Sequence, residues 1–488
     1  MKLTYDVRQK VPFGKNLVFA FQQVLAILAA TVLVPALVNT NAAEFCKENG
    51  LEFLSQNMSQ AAALIGAGVG TLVYLLFTKF KSPVFLGSSF AFIAPLSTGI
   101  IYGYCGILLG SLFAGLVYVV IALIISKVGS EWLNKLMPPV IIGPTVALIG
   151  LSLSGSAMNN LMNIAGGAEN YNLLAILVGI VTFIVTIIAS VKGNKQMKLI
   201  PFVIGVGAGY LLATVFTVIG MLCDVKYMQL IDFSEFAKIA DFSNWIPSLT
   251  FVEAFKEISG SASTTKALDW SAVLSIFVAF APVAMVVFAE HVADHKNISS
   301  IIGTDLLKDP GLHRTLLGDG VGSIAGAFFG GCPNTTYGES IGCVAITGNA
   351  SVYTIFTTAL MCIVLAFIYP VMLFIESIPS CVVGGICIAL YGFIAVSGLR
   401  MFKNVDLDDS KNLFVVAAIF VTGLGGIYLQ FGKVTISSIA CALILGIVVN
   451  LILKPKKVEV TKSVELSENE TVEEDMFGTT VTDKKDNK

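Results

Sequence analysis

Residues 331–348 read GCPNTTYGESIGCVAITG. Asn334, Thr335, Thr336, Tyr337 and Glu339 stand here between two apolar runs, 315–331 and 352–374. A water-facing loop would explain them. So would a membrane segment broken at its middle, and the rest of the chain decides between the two.

The chain has 488 residues, of which 56% are hydrophobic and 13% charged, and its mean hydropathy is +0.84. Soluble domains carry about 25% charged residues, so this chain reads as one dissolved in lipid. A net charge of −2 gives no footing for a nucleic-acid partner. The nine cysteines form no CxxC pair and no Cys/His cluster of metal spacing, and most sit in apolar runs as inert thiols. Cys46 and Cys223 fall in polar stretches, which leaves a bridge between them open.

Residues 1–16 are polar and basic, and 17–38 are apolar. That run exceeds the roughly 7–15 residues of a secretory core, so it reads as a retained first span. Further candidate spans are 60–77, 104–126, 138–158, 171–191, 199–222, 270–290, 315–331, 352–374, 379–399, 412–428 and 434–453. Two shorter, interrupted apolar stretches remain, 83–97 (PVFLGSSFAFIAPLS) and 332–347. If both cross, the count is fourteen and both termini face the cytoplasm. Basic residues test this. With fourteen crossings, 24 of the 30 Lys and Arg fall inside, which favours that count.

The chain then divides into a cytoplasmic N-terminus (1–16), a first seven-crossing repeat (17–222), an extracellular loop (223–269), a second repeat (270–453) and a disordered cytoplasmic tail (454–488). In each half two long runs precede the Gly/Ser/Thr-rich break and four follow it. Seven is odd, so the second copy is inverted in the membrane. Paired broken segments in inverted repeats are the build of secondary transporters, which hold substrate where the breaks meet.

Backbone broken at membrane depth survives only when buried in protein or lining a cavity. SSFAF (88–92) and NTTYG (334–338) read as short extended stretches, each followed by a half-helix. The amides of Phe90 and Gly338 would then point from helix N-termini at one site, suited to carbonyl oxygens or anions. Two structural re-entrant loops are the plainer alternative. Glu339 follows the second break directly, and Glu290 comes after twenty uncharged residues, 270–289. An ionisable group within a membrane segment costs about 2.5–3.5 kcal/mol on insertion scales and marks function by default, although Glu290 also fits a boundary carboxylate. Carboxylates accept N–H groups and amides donate to C=O groups. A pyrimidinedione or a xanthine presents that alternating edge. A carboxyl can also carry a proton, so the pattern suits a proton-coupled carrier without selecting the base.

At these residues the sequence resembles the nucleobase–cation symporter-2 (nucleobase–ascorbate transporter) family, and within it the bacterial uracil permease branch. The words that carry the resemblance are ATVLVPALV (30–38), LGSSFAFIAP (86–95), FAEHV (288–292), DLLKDPGLHR (305–314), PNTTYGESIGCVAIT (333–347) and LYGFIAVSGLR (390–400), in order over residues 12–453. The resemblance implies an all-α polytopic fold of fourteen crossings, with two short antiparallel β-strands at mid-membrane. A core domain comes from the first four crossings of each half and a gate domain from the last three. It implies a homodimer in the bacterial inner membrane that imports uracil with protons as coupling ion and needs no other cofactor. Ligand contacts carry over to Glu290 and Glu339, to the backbone of Phe90 and Gly338, and to Tyr337 and Tyr391. Proton coupling carries over to Glu339, Asp294, Ser89, Gln23 and His295.

Three positions depart from the branch. Asp294 stands where it has His, with His295 next. Gln22-Gln23 replaces a His beside Gln, and Ser340 replaces Asn. A xanthine or urate carrier is the alternative, although those carry a QN-type signature. An anion exchanger or channel of the same fold would present a basic or neutral site. An enzyme is disfavoured, since no HExxH word occurs and His291, His295 and His313 fall in or beside one predicted cytoplasmic loop, His313 as a solvated residue.

Overall fold

The computed structural model describes residues 3–129, 132, 136–162, 172–401, 403, 405–431 and 434–453. The tail from 454, read as disordered and cytoplasmic, lies outside these residues. Most described residues are helical, as apolar segments must be where no water is available to satisfy the backbone. The first half runs α1 (Phe13–Glu48), α2 (Gln60–Phe77), β1 (Leu86–Ser88), α3 (Ile93–Ile100), α4 (Gly103–Val128), α5 (Pro139–Ser152), α6 (Ser154–Met162), α7 (Leu173–Val191) and α8 (Pro201–Leu222). A short helix, α9 (Thr250–Ile258), interrupts the polar connection. The second half runs α10 (Trp270–Ile302), α11 (Leu312–Gly330), β2 (Asn334–Thr336), α12 (Gly338–Thr347), α13 (Val352–Leu365), α14 (Tyr369–Glu376), α15 (Ser380–Met401), α16 (Ser410–Leu424), β3 (Leu429–Phe431), β4 (Val434–Ile436) and α17 (Ser438–Ile452).

Among the described residues eight helices are long and apolar enough to cross a membrane, with α5 and α6 taken as one, and nine if the bent pair α13–α14 is one span. The chain is a polytopic, mostly helical membrane protein. Several elements differ from the sequence reading. The run 352–374 bends by 82° between α13 and α14, where Pro370 opens α14 and cannot continue the preceding helix. The run 434–453 starts as a strand paired with β3, so its helix begins only at Ser438. SSFAF is not extended throughout: the strand ends at Ser88, and Phe90–Phe92 form a 3₁₀ turn. Cys46 and Cys223 are free thiols, which closes the question of a bridge. His313 lies in the first turn of α11 and is half-buried, not in a solvated loop.

Two helix pairs form the centre, α2 on α11 and α5 on α15. Both are close because small residues face each other. A Cβ on Gly66 of α2 would lie 2.4 Å from the Gly326 carbonyl oxygen, and one on Gly398 of α15 would lie 2.2 Å from the Ala147 amide nitrogen. Around them α4 packs on α10 and α11, as α13 packs on α1 and α2. Likewise α7 packs on α8 and α15, as α16 packs on α17 and α5. The helices thus gather into two groups, α1–α4 with α10–α13 and α5–α8 with α15–α17.

β1 and β2 pair antiparallel inside the first group, with Leu86 opposite Thr336, Gly87 opposite Thr335 and Ser88 opposite Asn334. Flanking helices complete the hydrogen bonding that so short a pair lacks. Thr71 Oγ1 of α2 accepts from Leu86 N (2.9 Å) and donates to Leu86 O (3.1 Å). Asn334 Nδ2 donates to Gly66 O (3.0 Å), and Asn334 N donates to Ser323 Oγ of α11 (2.8 Å). The Tyr337 hydroxyl donates to Ser88 O at 2.8 Å. The strand pair is therefore bolted to α2 and α11.

Candidate functional site

Each short strand leads into a helix whose start has no side-chain cap. Tyr337 precedes α12 at φ −103° and ψ 115° with no capping bond, and Ser89 precedes the 3₁₀ turn that runs into α3 in the same way. The first N–H groups of such helices have no partner within the helix. Phe90 and Gly338, at these two starts, line one cavity of about 350 Å³.

Three carboxyls line the same cavity: Glu290, Asp294 and Glu339. Glu290 and Asp294 are four residues apart on α10, hence on one face. Because α10 runs on to Ile302, Glu290 lies twelve residues inside it and is not the boundary residue that its place in the sequence also allowed. Thr336 Oγ1 donates to Asp294 Oδ2 at 2.6 Å, which ties α10 to β2. A Cβ built on Gly338 would meet nothing closer than Asp294 Oδ1 at 3.9 Å, so a side chain there would project into the cavity. Ser89 and Thr335 also line it, and their buried hydroxyl oxygens have no hydrogen-bond partner among the described residues. Among the described residues no Lys, Arg or His lines the cavity. The facing wall, from the second helix group, is apolar, with Phe202, Leu390, Phe393 and Met401 among its residues. A flat ring with polar edges fits such a slot: polar groups on one side fix its edge, and the apolar wall covers a face.

The other sequence-derived candidates sit around this cavity. Tyr337 lines it, but its hydroxyl is engaged with Ser88 O. Tyr391 does not line it. It is buried and edge-on to Phe90, with ring centroids 6.2 Å apart. Gln23 is buried one layer back and donates to Ser340 O, the residue after Glu339, at 3.3 Å. His295 is fully buried on the neighbouring face of α10, 2.6 Å from the Tyr74 hydroxyl. His291 is buried as well, so neither lies in or beside a loop.

Asp319 went unnoticed in the sequence although it carries the same signal as Glu290, a lone carboxylate in the apolar run 315–331. It is fully buried, with Oδ2 2.7 Å from His291 Nδ1. The apolar wall had no signal at all. GESIG (338–342), which the sequence reading passed over, has the GxSxG spacing of hydrolase nucleophiles, but Ser340 is fully buried and its Oγ has no hydrogen-bond partner among the described residues, histidine included. A second cavity of about 360 Å³ lies between α1, α8 and α15. Its walls are mostly apolar, and Glu376 is its one carboxyl among the described residues, so the chemistry concentrates in the first.

A sequence model described as "Permease family" matches residues 14–431. The uracil permease of Bacillus caldolyticus is 37% identical over 456 residues, covering 93% of this chain and 95% of that protein. The uracil permease of Escherichia coli strain K12 is 33% identical over 450 residues, covering 92% and 93%. Among solved structures, the transmembrane domain of the cyanobacterial bicarbonate transporter BicA aligns with a TM-score of 0.57 at 14% identity, over 91% of this chain and 99% of that one. The murine anion transporter Slc26a9, in the inward-facing state, aligns at 0.60 and 10% identity, over 91% and 69%. These structures share the fold with this chain.

Proposed function

This chain belongs to the nucleobase–cation symporter-2 permease family, and from that premise we propose that it is a membrane carrier that imports uracil together with protons. One observation carries the chemistry: two glutamates and two uncapped helix starts meet in a cavity closed on its other side by apolar side chains. Uracil presents ring N–H donors and C=O acceptors around one flat ring. Glu290 and Glu339 accept from the N–H groups, and the amides at Phe90 and Gly338 donate to the carbonyls. Charge-assisted bonds of this kind contribute roughly 1.5–3 kcal/mol each. The wording TTYGE at 335–339, in place of a QN-type signature, favours a pyrimidine over xanthine or urate. An anion exchanger is disfavoured by the three carboxyls and the absence of a basic residue at the cavity among the described residues.

The finer architecture belongs to the same proposal. Fourteen crossings form two inverted repeats of seven, and the two helix groups are the core and the gate. The packing supports this. Exchanging the halves maps α4 on α10 to α13 on α1, α7 on α8 to α16 on α17, and β1 on α2 to β2 on α11. Both termini are cytoplasmic, in the bacterial inner membrane. Phe202 and Met401, at helix ends facing the predicted cytoplasmic loops, line the cavity, which fits a state open to the inside. Rocking of the core against the gate then exposes the strand pair and its ligand to either side. The three carboxyls are the proton carriers, with Glu339 favoured because it sits at a break. Function as a homodimer rests on the family resemblance alone.

Reconstituted protein tests this reading. An inward proton gradient imposed on proteoliposomes should drive uracil above its external concentration, and collapsing the gradient should release it. Uracil equilibration unaffected by the gradient would remove the protons and leave a facilitator.

A further inference from the structure

Behind the cavity, on the adjoining face of α10, runs a buried chain of hydrogen bonds that the transport chemistry above does not use. His291 Nδ1 lies 2.7 Å from Asp319 Oδ2 and His291 Nε2 lies 3.0 Å from Thr315 Oγ1, both on α11. His295 Nδ1 donates to His291 O at 2.7 Å, and the two imidazoles stack with centroids 4.0 Å apart. His295 Nε2 lies 2.6 Å from the Tyr74 hydroxyl of α2, which in turn lies 2.7 Å from Ser82 Oγ. All six side chains, from Asp319 to Ser82, are fully buried.

Successive residues on a helix are about 100° apart. Glu290 and Asp294 face the cavity, so His291 and His295 must face the neighbouring helices. The same α2 that receives His295 through Tyr74 holds β1 through Thr71, one turn earlier. The same α11 that receives His291 through Asp319 holds β2 through Ser323. Rotation of α10 is thus referenced to the two helices that carry the strand pair. The spacing from the carboxyls to the amides of Phe90 and Gly338 follows from that reference.

We propose that His291 and His295 are positioning residues, which never touch the ligand but lock the rotation of α10 so that Glu290 and Asp294 face the strand pair. For its binding readout the inference rests on the uracil reading above. Losing one partner of a buried hydrogen-bonded pair leaves the other unsatisfied, and α10 would turn to relieve it.

The test uses full-length protein in detergent with three variants. His291→Leu removes both ring contacts and should weaken uracil binding by the folded fraction about tenfold or more, while His291→Asn, which keeps a donor at the Nδ1 position, should stay within about threefold of wild type. Tyr74→Phe, nearly isosteric, should weaken binding about three- to tenfold. A purely structural role would lower the melting temperature and leave the Kd of folded protein unchanged. A second arm needs no uracil. In a background with Cys105 and Cys223 replaced by serine, Ala293→Cys, on the cavity face, is labelled by an aqueous maleimide. Adding His291→Leu should slow that labelling about fivefold or more as α10 turns.

Binding within about twofold of wild type in both His291→Leu and Tyr74→Phe, or no recovery in His291→Asn, would overturn the inference. Should His291→Leu fail to fold, Tyr74→Phe and His291→Asn decide on the same thresholds, and the labelling comparison is made with Tyr74→Phe. If wild type does not bind uracil, the substrate reading fails, and labelling alone decides this one: a rate changed by less than about twofold rejects it.

Discussion

On the proposed reading Glu290 and Glu339, both carboxyls of one cavity, each hold the ring, and Glu339 is the favoured proton carrier. Glu290→Ala removes a charge-assisted acceptor, and a loss of about 1.5–3 kcal/mol means roughly ten- to hundredfold weaker uracil binding. Equilibrium binding to solubilised, folded protein measures it, and unchanged affinity would make Glu290 a bystander. Glu339→Gln keeps size and hydrogen-bonding capacity but cannot titrate. Some uracil binding should survive, insensitive to pH, while accumulation driven by a pH gradient disappears. Asp294→Asn should slow transport and shift its pH optimum instead. If the two variants exchange these behaviours, Asp294 carries the proton. Glu290, Glu339, Phe90 and Gly338 were legible because a charge or a broken period inside an apolar run is conspicuous. The resemblance put Tyr391 at the ligand and Gln23 in the proton network, but neither lines the cavity, since a helix apolar all round does not announce which face meets a cavity. Asp319 was as conspicuous as Glu290, but nothing in the spacing tells that it meets His291.

At the scale of elements, the strand–helix units depend on close approach. Gly338 starts α12 with open space beside it, and its nearest neighbour is Asp294. Gly338→Val places a branched side chain in the cavity and should abolish transport while expression stays near normal. Full activity would separate the second break from the ligand. Tyr337→Phe removes the hydroxyl that donates to Ser88 O, and should lower stability by about 1 kcal/mol, read as a lower melting temperature without uracil. Both breaks were visible as polar words in apolar surroundings. The β3–β4 hairpin was not, because three-residue strands leave no periodicity distinct from the helix that follows. The 82° bend at α13–α14 was hidden for a related reason: the hydropathy of 352–374 is continuous, and only Pro370 hints at a corner.

For the whole molecule, the order of helices and breaks was legible because lipid imposes a length on every crossing. The division of the helices into two groups was legible only through the family resemblance and not in hydropathy, because it depends on which helices approach, and small residues set that approach without any mark in hydropathy. The central claim is that the carboxyl-lined slot carries a pyrimidine with protons. Uptake of radiolabelled uracil by cells expressing the chain, at two external pH values and with excess xanthine as competitor, tests it most directly. The account predicts saturable uptake that is faster at the lower external pH and barely inhibited by xanthine. Stronger competition by xanthine than by unlabelled uracil, or uptake no greater than in cells without the protein, would contradict it.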